Sequence, residues 1–255
     1  MRPSISEFSY GYALTEAFSG LGDLSAAPIF PSLRQEGQQG GGYDVQIQYS
    51  GSVLFLQFKL SDCMVRDNAL EAVNFGLPYF RMHIRSLIRS QQHPMLLGLE
   101  ASGNTVFYAA PKFHTPEEFN TSYLNRTIIE DSFFIEPSTI GAITDYDDHY
   151  IAFNAANDHG FYSKEPKRLN VEKIGSKYFV HKVREEVKEK KKEMTQNDEL
   201  NIRDEVIEVI SHAIGQGFWK GLSRENLIAD RRPILQAAYL ARTFIGCEML
   251  LLSER

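Results

Sequence analysis

Residues 43–60, YDVQIQYSGSVLFLQFKL, constrain the fold more than any other stretch of the chain. The first half alternates apolar and polar residues, which is the period of a strand with one buried face. The second half is an almost unbroken apolar run and reads as a more deeply buried strand. Ser50 to Ser52 turn the chain between them. An antiparallel hairpin is therefore expected, and its second strand must lie inside a core. The anomaly is Lys59, a charge at the end of VLFLQFKL. An ammonium there has to reach water or meet negative partners.

Asp44 opens the first strand of this hairpin, and Lys59 closes the second. Gln57 and Lys59 are two apart, so their side chains share a face. The hairpin would bring Asp44, Gln57 and Lys59 to one spot. A carboxylate and an amide oxygen are hard ligands suited to Mg²⁺ or Mn²⁺. A neighbouring lysine can serve a water molecule or stabilise charge on a phosphate. The plainer alternative has Lys59 lifting its ammonium to water while Asp44 caps a turn.

The rest of the chain supplies the setting. Residues 6–19 carry Phe8, Tyr12, Ala13 and Phe18 at roughly helical spacing. A loop rich in Gly, Pro, Ser and Gln follows and ends in glycines 40–42. Residues 68–90 read as a helix broken near Gly76 and Pro78. On it Arg81, Arg85 and Arg89, four apart, would form one basic face able to hold a nucleic-acid backbone. HPMLLGLEA (93–101) and NTVFYAAPK (104–112) read as strands around a turn. Thr115 caps a helix that starts at Pro116. Two short apolar segments follow, SFFIEPSTIG and HYIAFNA, while DYDDHY (145–150) fits no calcium-loop spacing and reads as a polar turn. His83 and His93 are structural candidates before catalytic ones.

Composition shifts sharply at VREEVKEKKKEMTQNDEL. A boundary is therefore expected near residue 182. It would divide the chain into an α/β domain (1–182), a charged linker or exposed helix (183–198) and a C-terminal helical element (199–255). Helices are expected at about 199–215 and 223–252. Their apolar faces should bury against the first domain, a second copy of the chain or a protein partner.

Together these residues resemble the PD-(D/E)XK nuclease superfamily, in its variant with glutamine at the third motif position. The shared pattern is a helix bearing a glutamate, then a hairpin bearing D-x12-Q-x-K. Tyr43 stands where the motif has proline, and Gln57 where it has an acid. The resemblance covers about residues 6–110. It implies a restriction-endonuclease-like mixed sheet flanked by helices. It also implies metal-dependent hydrolysis of a phosphodiester, in DNA rather than RNA, and possible service in bacterial defence against phage. Asp44 and Gln57, with the carbonyl of Phe58, would hold Mg²⁺ or Mn²⁺, and Lys59 would serve the attacking water. Of the two helix acids, Glu7 and Glu16, Glu16 is preferred because it lies nearer the helix end that leads to the sheet. Gln57 removes one negative charge from the site. That leaves open a catalytically weak module that binds nucleic acid or a protein on the same scaffold, or an enzyme acting on a nucleotide.

Three bulk properties narrow the class. The net charge of -6 argues against nonspecific coating of nucleic acid. Cys63 and Cys247 lie far apart and read as reduced thiols. No apolar run reaches the ~18 residues that span a bilayer, and the first residues lack the apolar stretch of a signal peptide. A cytoplasmic protein without membrane association is expected.

Overall fold

The computed structural model describes residues 1–18, 23–24, 52–156, 160–163, 167–189, 194–215 and 232–253. Two five-stranded sheets organise them. The first contains β1 (Asp23–Leu24), β2 (Ser52–Phe58), β5 (Thr105–Pro111), β6 (Ser132–Ile135) and β10 (Glu248–Ser253), in the order β1-β10-β2-β5-β6. The second contains β3 (Ser61–Met64), β4 (Tyr79–Ile84), β7 (His149–Phe153), β8 (Gly160–Tyr162) and β9 (Lys167–Arg168), in chain order and antiparallel throughout.

The first sheet is mixed. β2 runs parallel to β5, with α2 (Gln92–Ala101) in the crossover, and antiparallel to β10. Parallel strands need such a crossover because a tight turn cannot join them. Both faces of this sheet are covered. Val53 and Phe55 point into one apolar cluster with Val106, Phe80 and Met82. Leu54, Leu56 and Phe58 point into another with Phe107, Leu250 and Leu252. Burial on both faces explains why β2 reads as a continuous apolar run. The mixed α/β class is as expected.

On the Leu54 face lie α1 (Glu7–Phe18) and α5 (Gly175–Glu189), through Tyr10, Leu14, Phe18, Phe179 and Val183. On the Val53 face lie α2, α6 (Gln196–Ile214) and α7 (Pro233–Leu240), through Leu96, Leu99, Val206, Ile210, Ala237 and Leu240. The helix α3 (Pro116–Leu124) begins as expected. Thr115 accepts from the Glu118 amide, and Glu118 reciprocates to the Thr115 amide.

Four local expectations give way. Residues 68–90 are not a helix. A short 3-10 turn at Leu70–Asn74 is followed by β4, in which Phe80, Met82 and Ile84 are buried and alternate with Arg81 and His83. The period of two in YFRMHI wins over the four-residue spacing of the arginines. Residues 93–101 are helical, because Met95, Leu96 and Leu99 make one buried helical face rather than an alternation. The helix expected to reach 252 ends earlier. After α7 and a π turn (Ala241–Ile245), Gly246 takes φ +77°, a left-handed turn that favours glycine, and EMLLLS becomes β10. The fourth concerns the boundary near residue 182. α5 runs straight across it with Phe179 and Val183 both buried, and β10 lies within the first sheet between β1 and β2. The apolar tail thus packs against the preceding elements, α6 against α2 and β10 against β2.

Candidate active site

The first strand of the expected hairpin, with Asp44, lies outside the described residues. The neighbours of β2 are β10 over Ser52–Leu56 and β5 over Leu54–Phe58. β10 begins at Glu248, opposite Leu56. Beyond that point no described strand pairs with β2 on that side, and a cleft of about 170 Å³ opens there. Glu7, Phe8, Gly11, Gln57, Gly246 and Glu248 are among the residues that line it.

Gln57 is only 5% exposed. Its Nε2 donates to the Phe58 carbonyl at 2.8 Å. A carbonyl can only accept, so this bond fixes which way the amide points. The other end, Oε1, has no hydrogen-bond partner among the described residues. A buried amide oxygen left unpaired costs about 1–3 kcal/mol, so this atom calls for an explanation.

Lys59 is held in place from both ends. Its backbone amide donates to the Ala109 carbonyl at 2.9 Å, extending the pairing with β5. Its Nζ donates to Gln92 Oε1 at 2.6 Å. Gln92 Nε2 donates in turn to the Ile245 carbonyl at 2.9 Å. Burial pushes the Lys59 pKa down; the nearby Glu7 carboxylate opposes this and the Arg85 guanidinium adds to it. Lysine is the residue whose pKa moves most readily on burial. Gly246 makes this arrangement possible. A Cβ there would stand 2.8 Å from Gln92 Nε2 and 3.8 Å from Gln57 Oε1.

Strand alternation places Gln57 and Lys59 on the face opposite Leu56 and Phe58, and hence opposite α1. The cleft at the strand end is where the two faces meet. α1 crosses this end through Gly11, whose missing side chain lets the Phe58 ring approach; a Cβ would lie 2.7 Å from it. The crossing brings Glu7 to the cleft. Glu16 is nine residues on, about 13.5 Å along the axis, and its carboxylate instead accepts from the Tyr123 hydroxyl and raises that group's pKa. The preference for Glu16 therefore gives way to Glu7, because the strand end crosses the first half of the helix.

The basic stripe is also dispersed. Arg81 pairs with Glu71, which is 1% exposed, and lies over the Tyr150 ring at 4.3 Å. Arg89 pairs with Asp148 at 2.9 Å. Only Arg85 of the three is exposed and close enough to act on Lys59. Among the histidines, His93 is buried between the Tyr108 hydroxyl (2.9 Å) and the Gly141 carbonyl (2.8 Å), and burial lowers its pKa. His83 faces Asp62 at the surface, 3.1 Å away. In DYDDHY, Asp145 bonds the Asp147 amide, and Asp148 the Ser86 amide, as a polar turn would.

Sequence reasoning missed Gln92, Gly246, Arg242 and Glu248. Arg242 Nη1 donates to Glu248 Oε1 at 2.5 Å. Burial raises the Glu248 pKa, and Arg242 offsets this only in part. The one signal for Glu248 was an acid heading the apolar run EMLLL, the mirror image of Lys59 ending its own. Among the described residues no group of three or more His, Cys, Asp or Glu could hold a metal ion. The oxygen-bearing side chains that line the cleft include the Gln57 amide and the Glu7 and Glu248 carboxylates. No helix among the described residues is long and apolar enough to cross a membrane. Comparison with protein-family models, curated proteins and solved structures returned no match.

Proposed function

We propose that this chain hydrolyses phosphodiester bonds of nucleic acid, DNA rather than RNA, in a reaction that uses Mg²⁺ or Mn²⁺ at the end of β2. The observation that carries the reading is a tethered, desolvated Lys59 two residues from Gln57, whose buried Oε1 has no hydrogen-bond partner among the described residues. Both face one strand end, and a polar pair of this kind is costly in a core unless it serves a ligand.

Gln57 Oε1, the Phe58 carbonyl and Glu7 are hard oxygen donors that fit such an ion; Asp44 would join them from outside the described residues. A bound ion supplies Lewis acidity at the phosphoryl group. The chain's own residues do the rest. Lys59, when neutral, accepts a proton from the attacking water. The water oxygen bonds to phosphorus, the phosphorus–oxygen bond to the leaving group breaks, and that oxygen departs with the electron pair. Gln92 holds the Lys59 amine in place, and the exposed Arg85 is available to a phosphate. A role as the effector of a bacterial anti-phage system belongs to the same proposal and rests on the resemblance alone.

A second reading, a catalytically weak module that binds nucleic acid or a protein, draws on the neutral Gln57 and on the lack of a three-member His/Cys/Asp/Glu group among the described residues. One experiment separates them. Purified protein is incubated with plasmid, single-stranded DNA and RNA, with Mg²⁺ or Mn²⁺ and with chelator. Under the hydrolase reading Lys59→Ala and Asp44→Ala abolish cleavage while remaining folded, Lys59→Ala melting a few degrees lower because it gives up the bond to Gln92, and Gln57→Glu retains or raises cleavage. Cleavage by Lys59→Ala at the parent rate would end that reading. A silent parent beside an active Gln57→Glu would favour the module.

A further inference from the structure

We infer that Glu248, carried in by the last strand, is the acidic ligand of a divalent-cation site that it forms with Gln57 Oε1 and Glu7. This deepens the proposed function and takes its chemistry from it, but cation binding can be measured apart from cleavage.

The argument starts from the pairing of β10 with β2. Glu248 stands opposite Leu56, one residue before Gln57. Directly opposed residues of an antiparallel pair share a face, so Glu248 lies on the α1 side, where Glu7 also lines the cleft. Gln57 Oε1 meets the same cleft from the other side of the strand end. It is buried, it has no partner among the described residues, and its direction is set by the Nε2 bond to Phe58. Gly246 keeps the space beside it clear of a side chain. Two carboxylates and an amide oxygen around one opening make an all-oxygen donor set for a hard divalent cation.

The neighbour of Glu248 must be weighed. Arg242 engages Oε1 at 2.5 Å, and a pair bridging the turn at Gly246 is by itself a structural feature. A carboxylate, however, has about four lone-pair sites, so one guanidinium contact does not exhaust it. Gln57 also lacks the charge that an acid would bring at its position. Glu248 restores that charge from a strand distant in sequence.

The test is Mn²⁺ binding by calorimetry to the full chain, with the melting temperature of each variant recorded. Glu248→Gln should weaken Mn²⁺ binding by tenfold or more. Arg242→Gln, which removes a competing cation from the same carboxylate, should bind Mn²⁺ at least as tightly as the parent. Gln57→Glu should tighten binding, and it keeps the inference testable if Glu248→Gln does not fold. Equal losses from Glu248→Gln and Arg242→Gln would show a structural ion pair only and overturn the inference. So would Mn²⁺ binding unchanged by Glu248→Gln or Gln57→Glu, or a parent that binds no Mn²⁺. A parent that binds Mn²⁺ through Glu248 yet cleaves nothing would leave this site standing and remove the hydrolase reading. Cleavage with Mn²⁺ binding indifferent to Glu248 would do the reverse.

Discussion

Gly246 links the C-terminal segment to Lys59, and replacing it with alanine tests that link quantitatively. Two costs are expected. Its φ of +77° places the residue in the left-handed region, where a side chain costs about 1–2 kcal/mol. The new Cβ would also stand 2.8 Å from Gln92 Nε2. The Gln92 amide sits at the end of a flexible side chain, so it will swing away rather than distort the backbone. In doing so it gives up its bonds to Lys59 and to the Ile245 carbonyl. A hydrogen bond to a charged group is worth about 1.5–3 kcal/mol. Gly103 provides the control, with φ +91° and nothing within 4 Å of a Cβ. Gly103→Ala therefore carries the backbone cost alone. Gly246→Ala should be less stable than Gly103→Ala by about 1.5 kcal/mol or more. At about 2–4 °C per kcal/mol for a chain of this size, that is about 3–6 °C in melting temperature. Scanning calorimetry of the two variants and the parent measures it. Equal melting temperatures for the two variants would refute the idea that Gly246 makes room for the Gln92 clamp.

Other consequences can be measured on the same preparations. Glu71→Gln removes the acid that receives Arg81, Tyr79 and Tyr150 and should destabilise the protein by about 3–5 kcal/mol, the usual cost of breaking a buried pair; a loss under 1 kcal/mol in denaturant titration would contradict this. Burial alone would raise the Glu71 pKa, but hydrogen bonds from its own backbone, Arg81 and Tyr79 outweigh it and bring the net shift below the ordinary value. A carboxyl with a depressed folded pKa stabilises the fold above its unfolded pKa of about 4.3 and ceases to do so as pH falls through the folded one. The stability gap between parent and Glu71→Gln should therefore narrow on acidification below about pH 4.3, and a constant gap down to pH 3 would count against the assignment. Ending the chain at Cys247 removes β10 and exposes the side of β2 that it covers, so cooperative melting should vanish and light scattering should report larger species; a monomer with unchanged near-ultraviolet circular dichroism would disprove this.

What the sequence made legible follows from how local each signal is. β2 and β5 were readable because strands buried on both faces are continuously apolar. The start of α3 was readable because Thr115, Pro116 and Glu118 act within one turn. In β4 two periods compete, Arg81, Arg85 and Arg89 at four and Phe80, Met82 and Ile84 at two. The choice between them depends on which side chains find a core, and no local rule supplies that. β10 was hidden because Thr243 to Leu252 is apolar enough for either a helix or a strand, and pairing with β2 decides. The same limit applies to the site. Gln57 and Lys59 stood out as polar residues in an apolar strand. Gln92 and Glu248 reach them only through contacts made far along the chain.

The position of β10 also bears on how the protein is made. Its strand is the last of the described elements to be synthesised, yet it sits between β1 and β2. Until it emerges, no other described strand covers that side of the stretch VLFLQF, which is rich in β-formers and free of charge. An uncovered edge of this composition invites pairing with other nascent chains. Closing the sheet also joins residues remote in sequence, which slows folding. Yield from a fast expression system should therefore depend on holdase chaperones and low temperature, and a permuted chain that delivers 248–253 ahead of 52–58 should escape that dependence.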